Sequence, residues 1–410
     1  MNIVHLGLGI IPVPPGDVPA GREEYIYQLT RHFSLLGHDA HVIDIHASED
    51  ITRKRQAANV QYHTFRRPLL PYPYRKGFPF LRRFSKFLLY PFDVFQTWLF
   101  AILGGIQLKK LLSERDIDII HTHQGEIAIV ATIVNKMAGN PAKVLYTPQI
   151  PTTLPKWLRK VALWPERIAF KRIDHVVTLT NGFKKWLSGE YTIDPKNITV
   201  IHVGTAINDI QAFMQDHPKS RMEKSIPIVS TGGIIRRKNQ LTSVKAFARI
   251  TADHPELSLK LVGPIDHRDY YDEIQECIIE NGLENKVEIM GEVSKEELYN
   301  QYHSASIFLF PTTSEIQPTV MMEALAFGLP IVASNIEPNS DVVGSNEDIA
   351  ILKDPFDIDG LADSLSRLAT SLELRESMAS KARDLADSMS YTAVSNQTID
   401  LYKNLTTKKP

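Results

Sequence analysis

Strand-like and helix-like segments alternate along the whole chain, and this alternation constrains the fold more than any other feature. Short apolar segments such as "DAHVIDIH" and "HVVTLT" are typical of buried strands, and "REEYIYQLTRHFSLLGH" has the spacing of an amphipathic helix. A long region without clear periodicity follows the second strand. The pattern restarts near residue 226, after a charged join around 204–225. It predicts an α/β chain with two doubly wound parallel sheets, in domains over 1–205 and 206–390.

Composition and charge exclude several classes of protein. The formal net charge is −1 over 410 residues, so no global field favours nucleic acid. The single cysteine, Cys277, cannot form an internal disulfide and fits a reducing compartment. The N-terminal "MNIVHLGLGI" lacks the basic and long apolar regions of a signal peptide. The nearly apolar run at 94–108 is shorter than the roughly 20 residues of a spanning helix, and it predicts a buried helix. We therefore expect a cytoplasmic protein.

The segment 314–328, "SEIQPTVMMEALAFG", holds two glutamates eight positions apart. It follows the strand "SIFLFPT", and Pro318 and Gly328 predict the start and end of a short helix. Glu315 then lies in the loop and Glu323 in the helix, so both carboxylates can face the crevice at the carboxyl end of the strand. There they suit sugar and ribose hydroxyls, with a diphosphate at the helix N-terminus between them. Two solvated glutamates are the alternative.

The surrounding segment 291–334 resembles the C-terminal domain of retaining glycosyltransferases of family four, also called glycosyl transferases group 1. The family signature is this glutamate pair followed by Glu-Ala-Met/Leu-Ala-x-Gly-x-Pro-Val/Ile-Val. The matching residues are Glu315, Glu323, Ala324, Leu325, Ala326, Gly328, Pro330 and Val332. The resemblance implies the GT-B fold, in which two Rossmann-like domains face a cleft, and a UDP-sugar or GDP-sugar as donor. It also implies that the last helix, within 391–410, packs back onto the N-terminal domain.

The resemblance assigns roles to residues in the N-terminal domain. Gly21 opens a helix where the family brings a glycine close to the donor. His123, at the end of the strand "IDIIHTH", matches a histidine near the transferred sugar, and His121 is expected to be a strand residue. A turn glycine and a structural histidine are the alternatives. No further metal ligand is evident at a suitable spacing, so we expect neither a metal nor a cofactor.

The turn "STGGIIRRKNQ" resembles the phosphate-binding turn of the family. Lys238 falls at the lysine position, but Gly233 stands where the family has arginine. Arg236 or Arg237 then supplies the second cation, and we assign Arg237 to the donor site with Arg236 left open. A fixed cation aimed at the diphosphate stabilises the leaving group as its bond to the sugar breaks. A solvated basic turn is the alternative.

The remaining donor contacts depart from the family pattern or are weaker. Pro318 replaces a glycine whose backbone N–H binds the sugar in many members, and proline has no N–H. Thr319 can still donate, through its backbone N–H or its hydroxyl. Glu292 and Val293 follow a strand where the family holds the base by backbone groups.

The reaction implied by the resemblance is retaining glycosyl transfer of a hexose-type sugar, with His123, Lys238 and Glu315 as catalytic residues. Front-side displacement is favoured because no carboxylate is placed as a nucleophile, and a two-step route stays open. A nucleotide-sugar epimerase of the same fold and a non-catalytic nucleotide-sugar-binding protein are rival functions. A nicotinamide oxidoreductase is disfavoured because "GLG" at 7–9 lacks the third glycine of the dinucleotide fingerprint.

Residues 66–92 combine seven positive charges with eight aromatic side chains and no acidic residue. If 81–90 is helical, apolar and basic side chains lie on opposite sides, which suits an anionic membrane surface. The residues assigned to this surface are Arg82, Arg83, Phe84, Lys86 and Phe87. A packed loop and helix is the alternative, and nucleic acid is disfavoured by the near-zero net charge. We expect a peripheral enzyme on the inner face of the cell membrane with a lipid or lipid-linked glycan acceptor, or else a soluble acceptor.

Overall fold

The computed structural model divides the chain into two compact units, Met1–Ile201 with Ser395–Pro410 and His202–Val394. It describes residues 1–7, 12–14, 21–46, 48–66, 81–148, 164–218, 225–315, 317–344 and 347–407. For residues 21, 49, 50, 57 and 81–94 it describes the main chain alone.

A parallel sheet of seven strands forms the centre of the first unit. The strands are β1 Asn2–Leu6, β2 Asp39–Ile45, β3 Gln61–Phe65, β4 Ile119–Thr122, β5 Lys143–Tyr146, β6 His175–Thr178 and β7 Ile198–Val200. Their order across the sheet is β3-β2-β1-β4-β5-β6-β7. Every residue of β4 and nearly every residue of β1 and β2 is buried, as expected for strands covered on both faces.

Helices cover this sheet. They are α1 Gly21–Leu35, α2 Glu49–Ala57, α3 Leu81–Glu114, α4 Gly125–Met137, α5 Trp164–Ala169 and α6 Asn181–Tyr191. Phe100 and Leu108 of α3 share one buried cluster with Ile127 of α4 and Ile120 of β4. The core of this unit therefore includes the region where α3 and α4 pack on the sheet.

The second unit repeats the plan with six parallel strands. These are β8 Ile226–Thr231, β9 Leu257–Val262, β10 Val287–Gly291, β11 Ile307–Phe310, β12 Ile331–Ser334 and β13 Ala350–Lys353, in the order β10-β9-β8-β11-β12-β13. The helices are α7 Ile207–Asp216, α8 Gln240–Ile250, α9 Arg268–Glu280, α10 Lys295–Ser304, α11 Thr319–Ala326, α12 Glu337–Val343, α13 Ile358–Thr370, α14 Leu372–Ser388 and α15 Tyr391–Thr407. Helix α15 begins in this unit, and its residues from Ser395 onward belong to the first.

The expectation of an irregular region after β2 was wrong, and the charged join also contains a helix. The region after β2 contains helix α2 and strand β3. Neither shows a strong pattern, because α2 is mostly polar and β3 has one buried residue, Phe65. The charged join contains helix α7, whose buried Ile207 and Ile210 pack on the second unit. In both places a few apolar contacts outweigh a mostly polar sequence.

Helix α3 includes two stretches for which separate predictions were made, residues 94–108 and part of the basic and aromatic segment 66–92. The expected buried helix at 94–108 is buried on one face, where Gln96 and Phe100 are each 2% exposed. The other face is open to solvent, since Phe95, Ile102 and Ile106 are 59%, 52% and 61% exposed. The main chain is also helical where Arg82, Arg83, Phe84, Lys86 and Phe87 lie, but their side chains are outside the described part. Within the described residues, no helix combines the length and the hydrophobicity that crossing a bilayer requires.

A buried ion pair between Asp44 and Arg55 holds residue 13 in place. The Asp44 carboxylate is fully buried, and its Oδ2 accepts the Val13 N–H at 2.7 Å and a hydrogen bond from the Arg55 guanidinium. Arg55 Nε donates to the Val13 carbonyl at 2.8 Å. Burial raises the pKa of Asp44 to about 7, against the opposing effect of the Arg55 charge. Residue 13 is thus tied to β2 and α2 together.

Replacing Arg55 by Met should lower the free energy of unfolding by about 3–5 kcal/mol at pH 8, because it leaves a buried carboxylate without its cation. The loss should shrink at pH 5.5, where a carboxyl with a raised pKa takes up a proton and loses its charge. Urea denaturation at the two pH values measures both effects. Arg53→Met changes an exposed arginine on the same helix and is the matched control. A loss below 1 kcal/mol at pH 8 would show that the pair is not structural.

Candidate active site

In each sheet the strand order reverses at one point. The connections that follow the two strands on either side of this point lead away in opposite directions. In the first unit this place lies between β1 and β4, and in the second it lies between β8 and β11. Loops that leave the carboxyl ends of such a strand pair diverge and leave a crevice, which is where doubly wound folds bind ligands. The site residues expected from the sequence can be placed against these two points.

Three glycines make the tight turn after β8 possible. Gly232 has a φ of +134°, in the region that favours glycine. A Cβ on Gly263, at the end of β9, would overlap the Gly232 carbonyl, so the two backbones meet directly. At Gly233 an added Cβ would lie 2.8 Å from Asp266 Oδ2. The turn leads into a short 3₁₀ helix, Arg236–Lys238, which carries the three cations.

Lys238 and Arg237 converge on Glu315. Lys238 Nζ lies 2.8 Å and Arg237 Nη1 lies 3.0 Å from Glu315 Oε1, and the Thr312 hydroxyl lies 2.9 Å from the same oxygen. The side chains of Lys238 and Glu315 are 12% and 7% exposed, whereas that of Arg237 is 45% exposed. The structure therefore brings three of the expected donor-site residues into one ion-pair cluster beside β8 and β11.

The two arginines, between which the sequence did not decide, have different partners. Arg236 is exposed and forms ion pairs with Glu273 and Asp269 on helix α9. Arg237 donates to Glu315 and, at 2.7 Å, to the carbonyl of Ser314. Arg237 therefore lies in the cluster and Arg236 does not.

The side chain of Lys238 is largely buried. Burial lowers the pKa of Lys238, and the nearby Glu315 charge offsets part of that shift. The ammonium also lies 4.9 Å from the centre of the Phe310 ring. A cation in such a poorly solvated place interacts strongly with any anion that comes close, because the surrounding dielectric constant is low.

Glu323 takes part in a separate chain of hydrogen bonds. The Tyr302 hydroxyl donates to Glu323 Oε2 at 3.1 Å and lies 2.8 Å from the Thr231 hydroxyl at the end of β8. Burial raises the pKa of the Glu323 carboxyl, and the bond from Tyr302 opposes that shift. Tyr302 lies in helix α10, within the segment 291–334, but at none of the positions of the family signature.

The other expected donor contacts differ in how accessible they are. Thr319 is exposed at the first position of α11, but its N–H donates to the Gln317 carbonyl at 3.0 Å. Of the two donors that the sequence offers at this position, the N–H thus has a partner within the chain, and the hydroxyl is the other. Glu292 is exposed after β10, while Val293 packs partly into the core.

In the first unit, three buried histidines meet between β1 and β4. His123 follows β4, His121 lies in that strand as expected, and His5 lies opposite His121 in β1. His5 Nδ1 is 3.2 Å from His123 Nε2. His5 is 118 residues from His123 in the sequence, so the pattern around His123 does not reveal it.

The ligand atoms of the three histidines lie within 4.8 Å of one another, so this cluster is the place among the described residues where a metal has to be considered. However, the rings of His5 and His121 both stack on His123, at interplanar angles of 26° and 21°. Zinc ligands instead point their nitrogens at one centre about 2.0–2.1 Å away. Both nitrogens of His121 also face hydroxyls, those of Tyr402 at 2.6 Å and Thr147 at 2.7 Å. The geometry is that of a hydrogen-bonded cluster, and the absence of a metal stays a prediction.

Charged groups lie at the starts of two helices of the first unit, and one of them acts on the histidine cluster. Gly21, described by its main chain alone, begins α1, and the charge of the adjacent Arg22 helps to lower the pKa of His123. Gly125 begins α4, and a Cβ there would lie 3.0 Å from Glu166 Oε1. Burial and the Glu126 charge raise the pKa of Glu166 to about 7. None of Arg22, Glu126 and Glu166 stands in a motif, and the sequence analysis did not find them.

Two family models together match most of the chain. The model described as Glycosyltransferase Family 4 matches residues 19–208, and the one described as glycosyl transferases group 1 matches residues 212–385. The chain belongs to glycosyltransferase family four. The resemblance inferred from the glutamate pair is thereby confirmed.

Known proteins agree with this assignment. The chain is 26% identical over 275 residues to a UDP-Gal:alpha-D-GlcNAc-diphosphoundecaprenol alpha-1,3-galactosyltransferase of Escherichia coli, covering 64% of this chain and 69% of that protein. A glycosyltransferase from Rickettsia africae superimposes with a TM-score of 0.73 at 17% identity, covering 100% and 99% of the two chains. The Anabaena protein HepE in complex with UDP does so with a TM-score of 0.69 at 16% identity, covering 98% and 100%. The fold is GT-B, and this family-four chain is a glycosyltransferase that takes sugar from a nucleotide sugar.

The histidine cluster should make the protein sensitive to acid. Burial lowers the pKa of His121 to about 3 and those of His5 and His123 well below the usual 6.5, so the folded state holds these rings neutral. Above about pH 6.5 these histidines are neutral in the unfolded chain as well, and the folded state is not disfavoured. As the pH falls below that value, the unfolded chain takes up protons that the folded chain does not, and the free energy of unfolding decreases by up to about 1.4 kcal/mol per pH unit for each histidine. His121→Gln should therefore reduce the slope of unfolding free energy against pH between 6.5 and 5 by about that amount. Urea denaturation measures the slope, exposed His217→Gln is the control, and equal slopes in both variants would contradict the prediction.

Proposed function

We propose that the chain is a retaining, metal-independent hexosyltransferase that moves sugar from a UDP-sugar or GDP-sugar to a lipid or lipid-linked acceptor at the cytoplasmic membrane face. The observation that carries the donor half of this proposal is the convergence of Lys238 and Arg237 on Glu315 beside β8 and β11.

A diphosphate is the group that this cluster fits best. It offers the anionic oxygens that a poorly solvated ammonium and a guanidinium bind most strongly. In the structure the Glu315 carboxylate forms ion pairs with both cations. A diphosphate that takes over these contacts would leave the Glu315 carboxylate available to accept hydrogen bonds from the sugar hydroxyls. Glu323, with its raised pKa and its bond to Tyr302, is the proposed acceptor for ribose hydroxyls.

In the proposed reaction the bond from the anomeric carbon to the diphosphate oxygen breaks, and the acceptor oxygen attacks from the same face. The acceptor hydroxyl proton passes to the leaving phosphate, whose growing negative charge Lys238 and Arg237 stabilise. His123 contacts the transferred sugar. The solved structure of the Anabaena protein in complex with UDP supports a nucleotide diphosphate in this fold.

Lys238→Ala should lower kcat by roughly 10²–10³-fold, the cost of losing one fixed group that stabilises charge in the transition state. Donor affinity should fall less, because Arg237 remains. Radiolabelled UDP- and GDP-hexoses incubated with a membrane lipid extract give the rate, and calorimetry gives the affinity. Arg236→Ala removes a cation from the same turn but outside the cluster, so it is the matched control.

The products of the same assay test the function itself. A glycolipid with the anomeric configuration of the donor supports the proposal. An epimer formed without an acceptor would indicate an epimerase, and transfer to water-soluble glycans alone would indicate a soluble acceptor. Near-normal turnover of Lys238→Ala at saturating donor would refute the role of that residue.

The exposed side of helix α3 supports a membrane acceptor. Phe95, Ile102 and Ile106 lie seven and four residues apart, so they share one side of the helix, and all three are exposed. In the sequence the same spacing continues towards the N-terminus into the basic and aromatic segment 66–92. Apolar groups that enter an interface beside cations that meet head groups are typical of peripheral membrane helices. The Escherichia coli relative, whose name specifies a diphosphoundecaprenol acceptor, points in the same direction.

Wild type should sediment with anionic phosphatidylglycerol vesicles at low salt and be released at high salt. A variant with Arg82, Arg83 and Lys86 all changed to Glu should lose about 3 kcal/mol or more of binding, since each cation near such a surface contributes about 1 kcal/mol. The control makes the same charge change at the exposed residues Lys171, Arg172 and Lys185. If wild type ignores anionic vesicles at low salt, the membrane proposal fails and a soluble acceptor is favoured.

A further inference from the structure

The hydrogen bonds around His123 form one chain through the core of the first unit. Its four links are His123 Nε2 to His5 Nδ1 at 3.2 Å, His5 Nε2 to Tyr402 OH at 3.4 Å, Tyr402 OH to His121 Nδ1 at 2.6 Å and His121 Nε2 to Thr147 Oγ1 at 2.7 Å. All five residues are at most 2% exposed. The chain therefore connects β1, β4, the end of β5 and the C-terminal helix α15 without solvent between its members.

One nitrogen at the end of this chain of hydrogen bonds has no partner among the described residues. Every ring nitrogen of His5 and His121 has a partner, and Nε2 of His123 faces His5. Nδ1 of His123 is buried and has no hydrogen-bond partner among the described residues. A buried nitrogen of this kind costs free energy unless something else satisfies it.

We propose that His123 meets the substrate through Nδ1, and that the chain of Thr147, His121, Tyr402 and His5 fixes which of its nitrogens carries hydrogen. This inference rests on the proposed function, in which His123 contacts the transferred sugar. His5 and Tyr402 are positioning residues, since they act through His123.

Counting hydrogens shows why the chain acts as a unit. A neutral imidazole has one N–H donor and one lone pair, and a tyrosine hydroxyl has one hydrogen to donate. If His123 Nε2–H donates to His5, then His5 must donate to Tyr402, Tyr402 to His121, and His121 to Thr147. In that order His123 Nδ1 carries a lone pair and accepts a hydrogen bond from a sugar hydroxyl.

The reverse order is the other arrangement that keeps all four bonds and also gives the Tyr402 hydrogen an acceptor within the chain. Thr147 then donates to His121, every following link reverses, and His123 Nδ1 carries hydrogen and donates to a sugar oxygen. In a mixed order two donors or two acceptors face each other, or both histidines donate to the Tyr402 oxygen and the Tyr402 hydrogen is left buried without an acceptor in the chain. The Tyr402 hydroxyl stands in the middle of the chain, so its removal uncouples His123 and His5 from His121 and Thr147.

Tyr402→Phe is the sharpest test, because it removes the hydroxyl and keeps the ring. The ring lies 5.8 Å from that of Phe33 and 5.9 Å from that of His121, and these contacts remain in the variant. Two-dimensional ¹⁵N–¹H spectra of the imidazoles at pH 7.5 should show one neutral tautomer for His123 in wild type and a mixture in Tyr402→Phe. In the transferase assay kcat should fall roughly 10-fold, a part of the 10²–10⁴-fold that a positioned proton donor or acceptor supplies, with donor KM within about twofold.

Tyr270→Phe is the matched control. It removes another buried tyrosine hydroxyl, one that accepts the Leu241 N–H at 2.9 Å in the second unit, and should leave the imidazole spectra and kcat unchanged. Unchanged His123 tautomers in folded Tyr402→Phe overturn the inference. So does stoichiometric metal in purified wild type that is lost in His5→Asn, because a metal would take the nitrogens that the chain needs. If wild type transfers no sugar, the proposed function fails, and the spectra still decide whether the chain sets the tautomer.

Discussion

The carboxyl ends of parallel strands lie along one edge of a sheet, and the strand order reverses at one point on each edge. This constraint places every residue argued above to take part in catalysis. It brings together groups that are far apart in sequence: His5 and His123 are 118 residues apart, and Lys238 and Glu315 are 77 apart. Because the crevice comes from diverging loops, the strands need only present their last residues there. The rest of each sheet remains free to build a core from apolar side chains.

Polar groups are buried at both crevices, and they are stabilised by ion pairs at one and by hydrogen bonds between neutral groups at the other. In the second unit the groups are charged, and Lys238, Arg237 and Glu315 offset the cost of desolvation by pairing with one another. Two cations share one carboxylate, so the cluster keeps one positive charge in excess, which attracts an anionic ligand. In the first unit the histidines are held neutral, and hydrogen bonds to Tyr402 and Thr147 satisfy both ring nitrogens of His121. The charged site suits a diphosphate, and the neutral one suits the hydroxyls of a sugar.

The sequence predicted what depends on nearby residues and missed what depends on distant ones. Pro318 and Gly328 bound the helix that carries Glu323, as expected, because caps are local. The choice of Arg237 over Arg236 depends on Glu315 and on helix α9, neither of which is near in sequence. His5, Tyr402 and Tyr302 could not be found for the same reason, since each is an ordinary core residue until its partner is known. Strand β3 was missed because its sequence, "QYHTF", buries one side chain and shows little alternation.

A neutral histidine beside the sugar has a chemical advantage in the reaction proposed for this enzyme. As the bond to the diphosphate breaks, positive charge builds up on the sugar ring, and an imidazolium nearby would oppose it. Burial, with the neighbouring His121, His5 and Arg22, lowers the pKa of His123 and so disfavours that charged form. A carboxylate partner would have the opposite effect, because it would stabilise the imidazolium. A histidine oriented by other histidines and a tyrosine is thus fixed in place without acquiring charge, at the cost of a fold that weakens in acid.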